Sequence, residues 1–143
     1  MKFRIFSYLL ALTALSGCST ISVEQRKTQD YSKLYLRGVF TWWEANPSYK
    51  VKEGSDEVYS ASVKLIADGQ PYDFKFADEN WTPGLACGPL SNRDINLKAG
   101  AKALVDCQNP KENFKFTPNK TGLYRFIFDA RNQSQPIVYV LKD

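Results

Sequence analysis

Side chains able to carry out covalent chemistry are few in this sequence. None of the 143 residues is histidine, which excludes Ser-His-Asp and Cys-His nucleophile systems, histidine general bases and histidine-containing metal sites. Three cysteines are too few for a four-cysteine zinc site. The adjacent carboxylates Asp56-Glu57 and Asp78-Glu79 fall in predicted turns, where such pairs are usually solvated. We therefore predict a protein that is not an enzyme and holds no cofactor or metal, with a calcium ion on Asp78, Glu79 and Asn80 as the alternative.

The three tryptophans offer a different kind of chemistry, which is non-covalent stacking. Trp42 and Trp43 directly follow the first predicted strand, and Trp81 lies in a loop between two later strands. Flat aromatic rings suit the apolar C–H faces of sugars, while Lys75 and Asp78 supply polar partners for the hydroxyl edges. Neighbouring side chains of an extended segment point to opposite faces, so one of Trp42 and Trp43 is expected to face solvent. The alternative is that all three rings pack in or against the core.

The first 17 residues have the composition of a signal peptide. Lys2 and Arg4 precede an apolar run over residues 5–15, which is shorter than the roughly 20 residues that a membrane-spanning helix needs. These two cations supply half of the formal net charge of +4. The basic residues of the remaining chain are spread along the predicted strands and form no patch, so nucleic acid is not a predicted partner.

The end of this segment, Leu15-Ser16-Gly17-Cys18, resembles the lipobox of bacterial lipoproteins. In that family the cysteine is acylated, with palmitate or a similar chain, and becomes the first residue of the mature protein. The resemblance implies a lipid anchor at Cys18 and a tether over residues 18–33. The residue after the cysteine is Ser19 and not aspartate. The resemblance therefore also implies an outer-membrane location, in the periplasmic or the surface leaflet.

The other two cysteines form an even pair. An oxidising compartment predicts a disulfide between Cys87 and Cys107, which would stabilise the domain by roughly 3 kcal/mol through closure of the intervening loop. The alternative is a reactive thiol pair, which neither a CxxC spacing nor a neighbouring histidine supports.

These candidate residues lie on a chain with a strong β pattern. From Leu34 onward, short runs rich in Val, Ile, Tyr, Phe and Trp are separated by Gly, Pro, Asn and Asp turns, which is typical of an all-β sandwich or barrel. The alternation within residues 58–65 predicts one buried and one wet face. We predict a single domain over residues 34–143, without a helix longer than a turn or two. The predicted strands are 34–40, 48–52, 58–66, 71–77, 94–97, 101–106, 113–117, 123–129 and 136–141.

Three segments resemble the carbohydrate-binding-type modules of secreted pullulanases and related starch-debranching enzymes. Residues 34–43 (LYLRGVFTWW) are similar to their opening "YLRG" strand, residues 71–81 (PYDFKFADENW) to their "YEFKIAD..W" segment, and residues 113–129 to their closing hairpin. The resemblance implies an immunoglobulin-like antiparallel β-sandwich of about 7–9 strands, and α-glucan binding through exposed tryptophan. Residues 84–109, which hold both cysteines, depart from the family pattern and are expected to form a disulfide-braced excursion.

Two functions from different classes follow from these observations. The first is a non-catalytic, membrane-anchored lipoprotein that binds an α-glucan-like glycan. The second is an accessory or pilot lipoprotein that binds a protein of an envelope secretion or assembly machine, through an exposed sheet edge or the 84–109 segment.

Overall fold

The structure, a computed structural model, describes residues 16–18 and 28–143. The predicted signal peptide lies outside the described residues except for Ser16 and Gly17, and so does the tether over residues 19–27. Cys18 is exposed and its thiol is free. Within the described part of the chain, no helix is long and apolar enough to cross a membrane.

The described residues form ten strands and four 3-10 turns of three residues each. The absence of longer helices confirms the all-β prediction for this part of the chain. The strands are β1 (Tyr35–Gly38), β2 (Lys52–Glu53), β3 (Val58–Leu65), β4 (Tyr72–Ala77), β5 (Ala86–Pro89), β6 (Asn96–Leu97), β7 (Ala103–Asp106), β8 (Phe114–Phe116), β9 (Gly122–Asp129) and β10 (Ile137–Lys142). The 3-10 turns are Tyr31–Lys33, Val39–Thr41, Pro47–Tyr49 and Asn92–Asp94.

The strands build two layers that face each other. Sheet 1 has β4 at its centre, with β1 on one edge and both β5 and β8 on the other, followed by β6. Sheet 2 runs in the order β2, β3, β9, β10, β7. A short pairing of β5 with β7 joins the two sheets along one side. All pairs are antiparallel except β6 with β8, and this arrangement confirms the predicted immunoglobulin-like antiparallel sandwich.

Phenylalanines from both sheets fill the space between the layers. Phe74 of β4 meets Phe126 of β9 edge to face at 4.8 Å between ring centroids, and Phe76 meets Phe128 at 5.5 Å. All four side chains are fully buried, and burial of each contributes about 2 kcal/mol. The alternation predicted for β3 is confirmed, because its odd-numbered residues from Tyr59 to Leu65 are buried. The residues that fill the core are therefore phenylalanines and the buried residues of the strands, and none of the tryptophans is needed there.

The disulfide between Cys87 and Cys107 is confirmed, with an S–S distance of 2.05 Å. It joins β5 to the residue that follows β7, at the seam between the two sheets. Residues 84–109 are therefore not an excursion, because they supply β5, β6 and β7 to the sandwich. Strand β5 was not predicted, since its sequence Ala-Cys-Gly-Pro has neither alternation nor β-branched residues.

The segment after the first strand also differs from its prediction. The sequence predicts a strand over residues 48–52, but Pro47–Tyr49 is a 3-10 turn. Lys50 makes an isolated bridge with Tyr35, and the strand is limited to Lys52 and Glu53. Asn46 caps the turn, because its side-chain oxygen accepts a hydrogen bond from the Ser48 N–H at 2.9 Å, and Pro47 has the backbone angle that such a start requires.

Packing begins upstream of β1, within the segment that the sequence assigns to the tether. The Tyr31 ring is 4% exposed and lies 4.9 Å from the ring of Phe128. The Asp30 carboxylate accepts a hydrogen bond from the Ser32 N–H at 3.1 Å and so fixes the start of this turn. The chain thus enters the sandwich at the end of the domain where β9 finishes.

Candidate functional site

A tight turn at the end of β1 carries Trp42 and Trp43. The Thr41 hydroxyl oxygen lies 3.0 Å from both the N–H and the carbonyl oxygen of Gly38, accepting from the first and donating to the second. The Trp43 N–H also donates to the Gly38 carbonyl, at 3.0 Å. A Cβ atom on residue 38 would lie 2.5 Å from the Asp73 carbonyl oxygen. Only glycine therefore lets the end of β1, where the turn begins, approach β4 this closely.

The two indoles differ in exposure, although the backbone between them is not extended. Trp42 and Trp43 have φ values of +52° and +61°, so both are left-handed. The expectation of an extended segment is wrong, because the turn reverses the chain here. Trp42 is 87% exposed, whereas Trp43 is half-buried. One indole of the pair therefore faces solvent, as expected, but the cause is the turn and not the alternation of side chains along a strand.

Trp81 lies in a second loop, residues 78–84, which follows β4. The Asp78 carboxylate is buried inside this loop and accepts hydrogen bonds from the Thr82 N–H at 2.7 Å and from the Thr82 hydroxyl at 2.5 Å. Trp81 at the tip has a φ of +55° and is 39% exposed. The structure thus places Asp78 as the residue that shapes the loop, and its direct contact with a ligand stays a prediction.

A single buried arginine joins the two tryptophan loops. The Arg37 Nε donates to the Trp43 carbonyl oxygen at 2.7 Å, and Nη1 donates to the carbonyl oxygens of Asp78 at 2.8 Å and Glu79 at 3.2 Å. Its guanidinium carbon lies 4.0 Å from the centroid of the Trp81 ring, which is the geometry of a cation–π contact. Burial lowers the pKa of Arg37 from its ordinary value, while the Asp78 carboxylate opposes this change.

Arg37 was not among the residues that the sequence analysis selected. The only available signal was a cation at an interior strand position, between Leu36 and Gly38 in the "YLRG" segment. A strand of this kind has one face on the core and one toward solvent, and an arginine there is ordinarily read as solvent-exposed. The exposed fraction of Arg37 is only 6%, because both loops fold over its guanidinium.

Lys75 stands directly opposite Arg37 in the pairing of β4 with β1. Its side chain extends away from β1, since the Lys75 Cε lies next to Gly88 of β5. Burial lowers the pKa of Lys75, and the Glu112 carboxylate opposes this change. The structure therefore brings Trp43, Asp78 and Trp81 together around Arg37, and places Lys75 on the far side of β4. Its role as a ligand group stays a prediction.

Backbone strain within the described residues is concentrated at the tryptophans. Four non-glycine residues there have positive φ, and three of them are Trp42, Trp43 and Trp81, the fourth being Glu57. A left-handed conformation costs an L-residue about 1 kcal/mol or more, and bulky residues seldom adopt it. Such residues persist where the surroundings over-determine them, which is frequent at binding and catalytic sites.

The chemistry available at this surface is stacking and hydrogen bonding. Trp42 and Trp81 expose indole surface, and the Glu79 and Asn80 side chains beside Trp81 are exposed. Among the described residues no group of three or more His, Cys, Asp or Glu side chains could hold a metal ion. The alternative of calcium on Asp78, Glu79 and Asn80 finds both Asp78 carboxylate oxygens already engaged by Thr82.

Comparison with solved structures identifies one similar architecture. The chain is similar to the "Ligand induced structure of AmyP-SBD", a starch-binding domain, with a TM-score of 0.55 and 18% sequence identity over 95% of this chain and 96% of that chain. Neither a protein-family model nor a curated protein matches the chain. At this identity the similarity shows the fold alone, which is a β-sandwich.

Proposed function

We propose that this protein is a non-catalytic, lipid-anchored glycan-binding protein whose ligand is an α-glucan. One observation carries the proposal. The two indoles that face solvent, Trp42 and Trp81, belong to loops that a single buried guanidinium joins, and both stand on strained backbone. A surface held in this way is rigid before any ligand arrives, and rigidity of this kind lowers the entropy lost on binding.

The physical basis of recognition is the fit between an indole and a sugar ring. A pyranose presents C–H groups on its faces and hydroxyls on its edge, so it gains from burying a face on an indole while its edge stays hydrogen-bonded. Asn80 and Glu79 flank Trp81 and are exposed to supply such hydrogen bonds. The similarity of the fold to a starch-binding domain supports an α-glucan over other neutral glycans.

The test is calorimetric titration of the domain with maltoheptaose, alongside intrinsic tryptophan fluorescence. We expect saturable binding and a change in fluorescence, and we expect Trp42→Ala and Trp81→Ala each to lower affinity about tenfold, since loss of one stacking contact is worth about 1 kcal/mol or more. Leu123→Ala is the matched control, because Leu123 is 45% exposed and belongs to β9 of sheet 2, outside both tryptophan loops.

Two results would overturn the proposal. One is the absence of heat with maltoheptaose and with soluble starch at millimolar concentrations. The other is binding that the Trp42→Ala/Trp81→Ala double variant retains in full. Recovery of an envelope protein by the wild-type domain, together with the first of these results, would instead favour the accessory or pilot role.

The lipid anchor is tested separately from glycan binding. We expect wild-type protein in the outer-membrane fraction of a Gram-negative host and Cys18→Ser in the soluble fraction, because each buried CH₂ of an acyl chain contributes about 0.8 kcal/mol to membrane binding. The exposed, free thiol of Cys18 and its place ahead of the folded domain support this assignment. Membrane association that Cys18→Ser leaves unchanged would contradict it.

A further inference from the structure

A cleft opens beside Trp81, between the start of β1 and the loop of residues 78–84. It encloses about 380 Å³ and is lined mainly by Lys33, Tyr35, Lys50, Glu79, Asn80 and Thr82. The cleft and the tryptophan surface share one wall, since the loop that carries Trp81 also supplies Glu79, Asn80 and Thr82.

The aromatic floor of this cleft lies in line with the Trp81 ring. Tyr35 and Arg37 are two residues apart on β1 and therefore project from the same face of sheet 1, about 7 Å from each other. The Trp81 ring lies over Arg37. Tyr35 is half-buried, so part of its ring is open to the cleft. Two aromatic groups thus follow one another along the outer surface of β1.

The polar groups of the cleft suit a neutral, hydroxyl-rich ligand. Lys33 and Lys50 supply two positive charges, and Glu79 and Asp78 supply two negative charges, so the lining favours neither an anion nor a cation. The Lys50 Nζ lies over the Tyr35 ring, 5.8 Å from its centroid, so a sugar unit that stacks on Tyr35 also meets this ammonium group. Within the described residues, the Glu79 and Asn80 side chains have no hydrogen-bond partner, which leaves donors and acceptors free for a ligand.

The wall of the cleft is fixed independently of any ligand. The Glu79 carbonyl accepts a hydrogen bond from Arg37, and the Asp78 carboxylate holds Thr82. The side chains of Glu79 and Asn80 therefore extend from an anchored backbone, and a ligand that binds them loses little entropy to loop ordering.

From this arrangement we propose that the cleft over Tyr35 is a second subsite for the glycan chain that stacks on Trp81. The protein then recognises a run of several sugar units and not a single unit or a chain end. Tyr35 stacks on one unit, while Lys50 and Asn80 donate hydrogen bonds to its hydroxyls. This inference rests on the proposed function and specifies the length of ligand that the site requires.

Titration with maltose, maltotriose and maltohexaose tests the second subsite. We expect the affinity of the wild-type domain to rise with chain length. In Tyr35→Ala, affinity for maltohexaose should fall about tenfold, as for the loss of one stacking contact, while affinity for maltose on Trp81 should change by less than about twofold. Lys50→Met should reduce the affinity for maltohexaose in the same selective way. Because Lys50 is exposed and lies outside both tryptophan loops, this variant keeps the test valid if Tyr35→Ala does not fold.

The outcomes separate this inference from the proposed function. If the wild-type domain binds maltohexaose and the gain with chain length persists in Lys50→Met and in any folded Tyr35→Ala, the subsite is refuted and the proposed function stands. An equal loss for all three sugars in both variants also refutes the subsite, since it indicates a general distortion of the surface. If the wild-type domain binds none of these sugars, the proposed function fails and the subsite fails with it.

Discussion

Replacing Arg37 with methionine should uncouple the two tryptophan loops. The change keeps the apolar stem that packs on sheet 1 and removes the guanidinium. Three main-chain carbonyls, those of Trp43, Asp78 and Glu79, lose their donor, and the Trp81 ring loses the cation beneath it. The left-handed backbone at Trp43 and Trp81 then has less to hold it in place.

The size of the effect follows from these contacts. A hydrogen bond from a charged donor contributes about 1.5–3 kcal/mol. Two of the three bonds are only partly buried, so water can replace the guanidinium at those carbonyls. Removing a buried charge also recovers part of its desolvation energy. We therefore expect a net loss of about 3 kcal/mol in the free energy of unfolding. For a domain of this size that corresponds to a fall of about 10 °C in Tm.

Glycan affinity distinguishes positioning from plain stability. Arg37→Met should lower affinity for maltoheptaose more than tenfold at a temperature where the variant is still folded, because Trp42 and Trp81 no longer keep their relative positions. Near-UV circular dichroism should show weakened tryptophan bands. Arg37→Lys should be intermediate in stability, since an ammonium cannot donate to three carbonyls in the planar arrangement of a guanidinium.

A destabilised variant with intact loops provides the matched control. Leu65 is fully buried at the end of β3 in sheet 2 and belongs to neither loop, and Leu65→Ala should cost about 2–5 kcal/mol. Its affinity for maltoheptaose should equal that of the wild type at the same temperature. Wild-type affinity in Arg37→Met, or an equal loss of affinity in Leu65→Ala, would refute the positioning role of Arg37.

Three further predictions concern strain, the disulfide and alkaline pH. Trp42→Asn should leave Tm unchanged or raise it by a few degrees, because Trp42 is 87% exposed and asparagine accepts the left-handed backbone at φ +52° more readily. It should lower glycan affinity as much as Trp42→Ala does, and a fall in Tm of more than about 3 °C would show that the indole packs. The Cys87→Ala/Cys107→Ala double variant should lose roughly 3 kcal/mol in the free energy of unfolding, since the bridge spans 20 residues. Urea denaturation of Cys18→Ser protein with and without reductant checks this independently of Cys18. Burial and the nearby Glu57 carboxylate raise the pKa of Tyr59 to about 12, so the folded state holds this proton more tightly than the unfolded chain. Stability should therefore be intact below pH 10 and fall between pH 10 and 12, and Tyr59→Phe should flatten this fall without removing it, because burial raises the pKa of Tyr31 as well. Equal slopes in wild type and Tyr59→Phe would contradict the assignment.

The parts of the fold that sequence predicted are those in which burial follows a simple period. Strands β3, β4 and β9 have one apolar and one polar face, and the alternation of side chains in an extended chain makes that pattern visible in one dimension. The disulfide was predictable for another reason, since two cysteines that remain in an oxidising compartment normally pair. Strand β5 was missed, because Gly88 and Pro89 do not favour strands and only pairing with β4 and β7 makes it one.

The candidate site could be predicted only in its residue types. Sequence pointed to the three tryptophans, but local preference assigns none of them a left-handed backbone, which is rare for bulky residues. At Trp42 and Trp43 that conformation accompanies the hydrogen bonds of Thr41 and Trp43 to Gly38. At Trp81 it accompanies the contacts of Asp78 with Thr82 and the hydrogen bonds from Arg37, which is distant in sequence, to residues 78 and 79. The role of Arg37 could not be predicted either. Its position in β1 indicates only an outward-facing side chain, and its burial depends on the two loops that cover it.

The tryptophans differ from the phenylalanines of the core in burial and in backbone conformation. The phenylalanines of β4 and β9 are fully buried on relaxed strands, and they account for the stability of the sandwich. Trp42, Trp43 and Trp81 together carry about 3 kcal/mol or more of backbone strain, against a total stability of about 5–15 kcal/mol for a typical domain, and Trp42 buries almost nothing in return. Residues selected for packing alone would occupy relaxed backbone and the interior. Strain held by a buried cation, with indole surface left in water, is instead the arrangement expected of a preformed surface for a ligand.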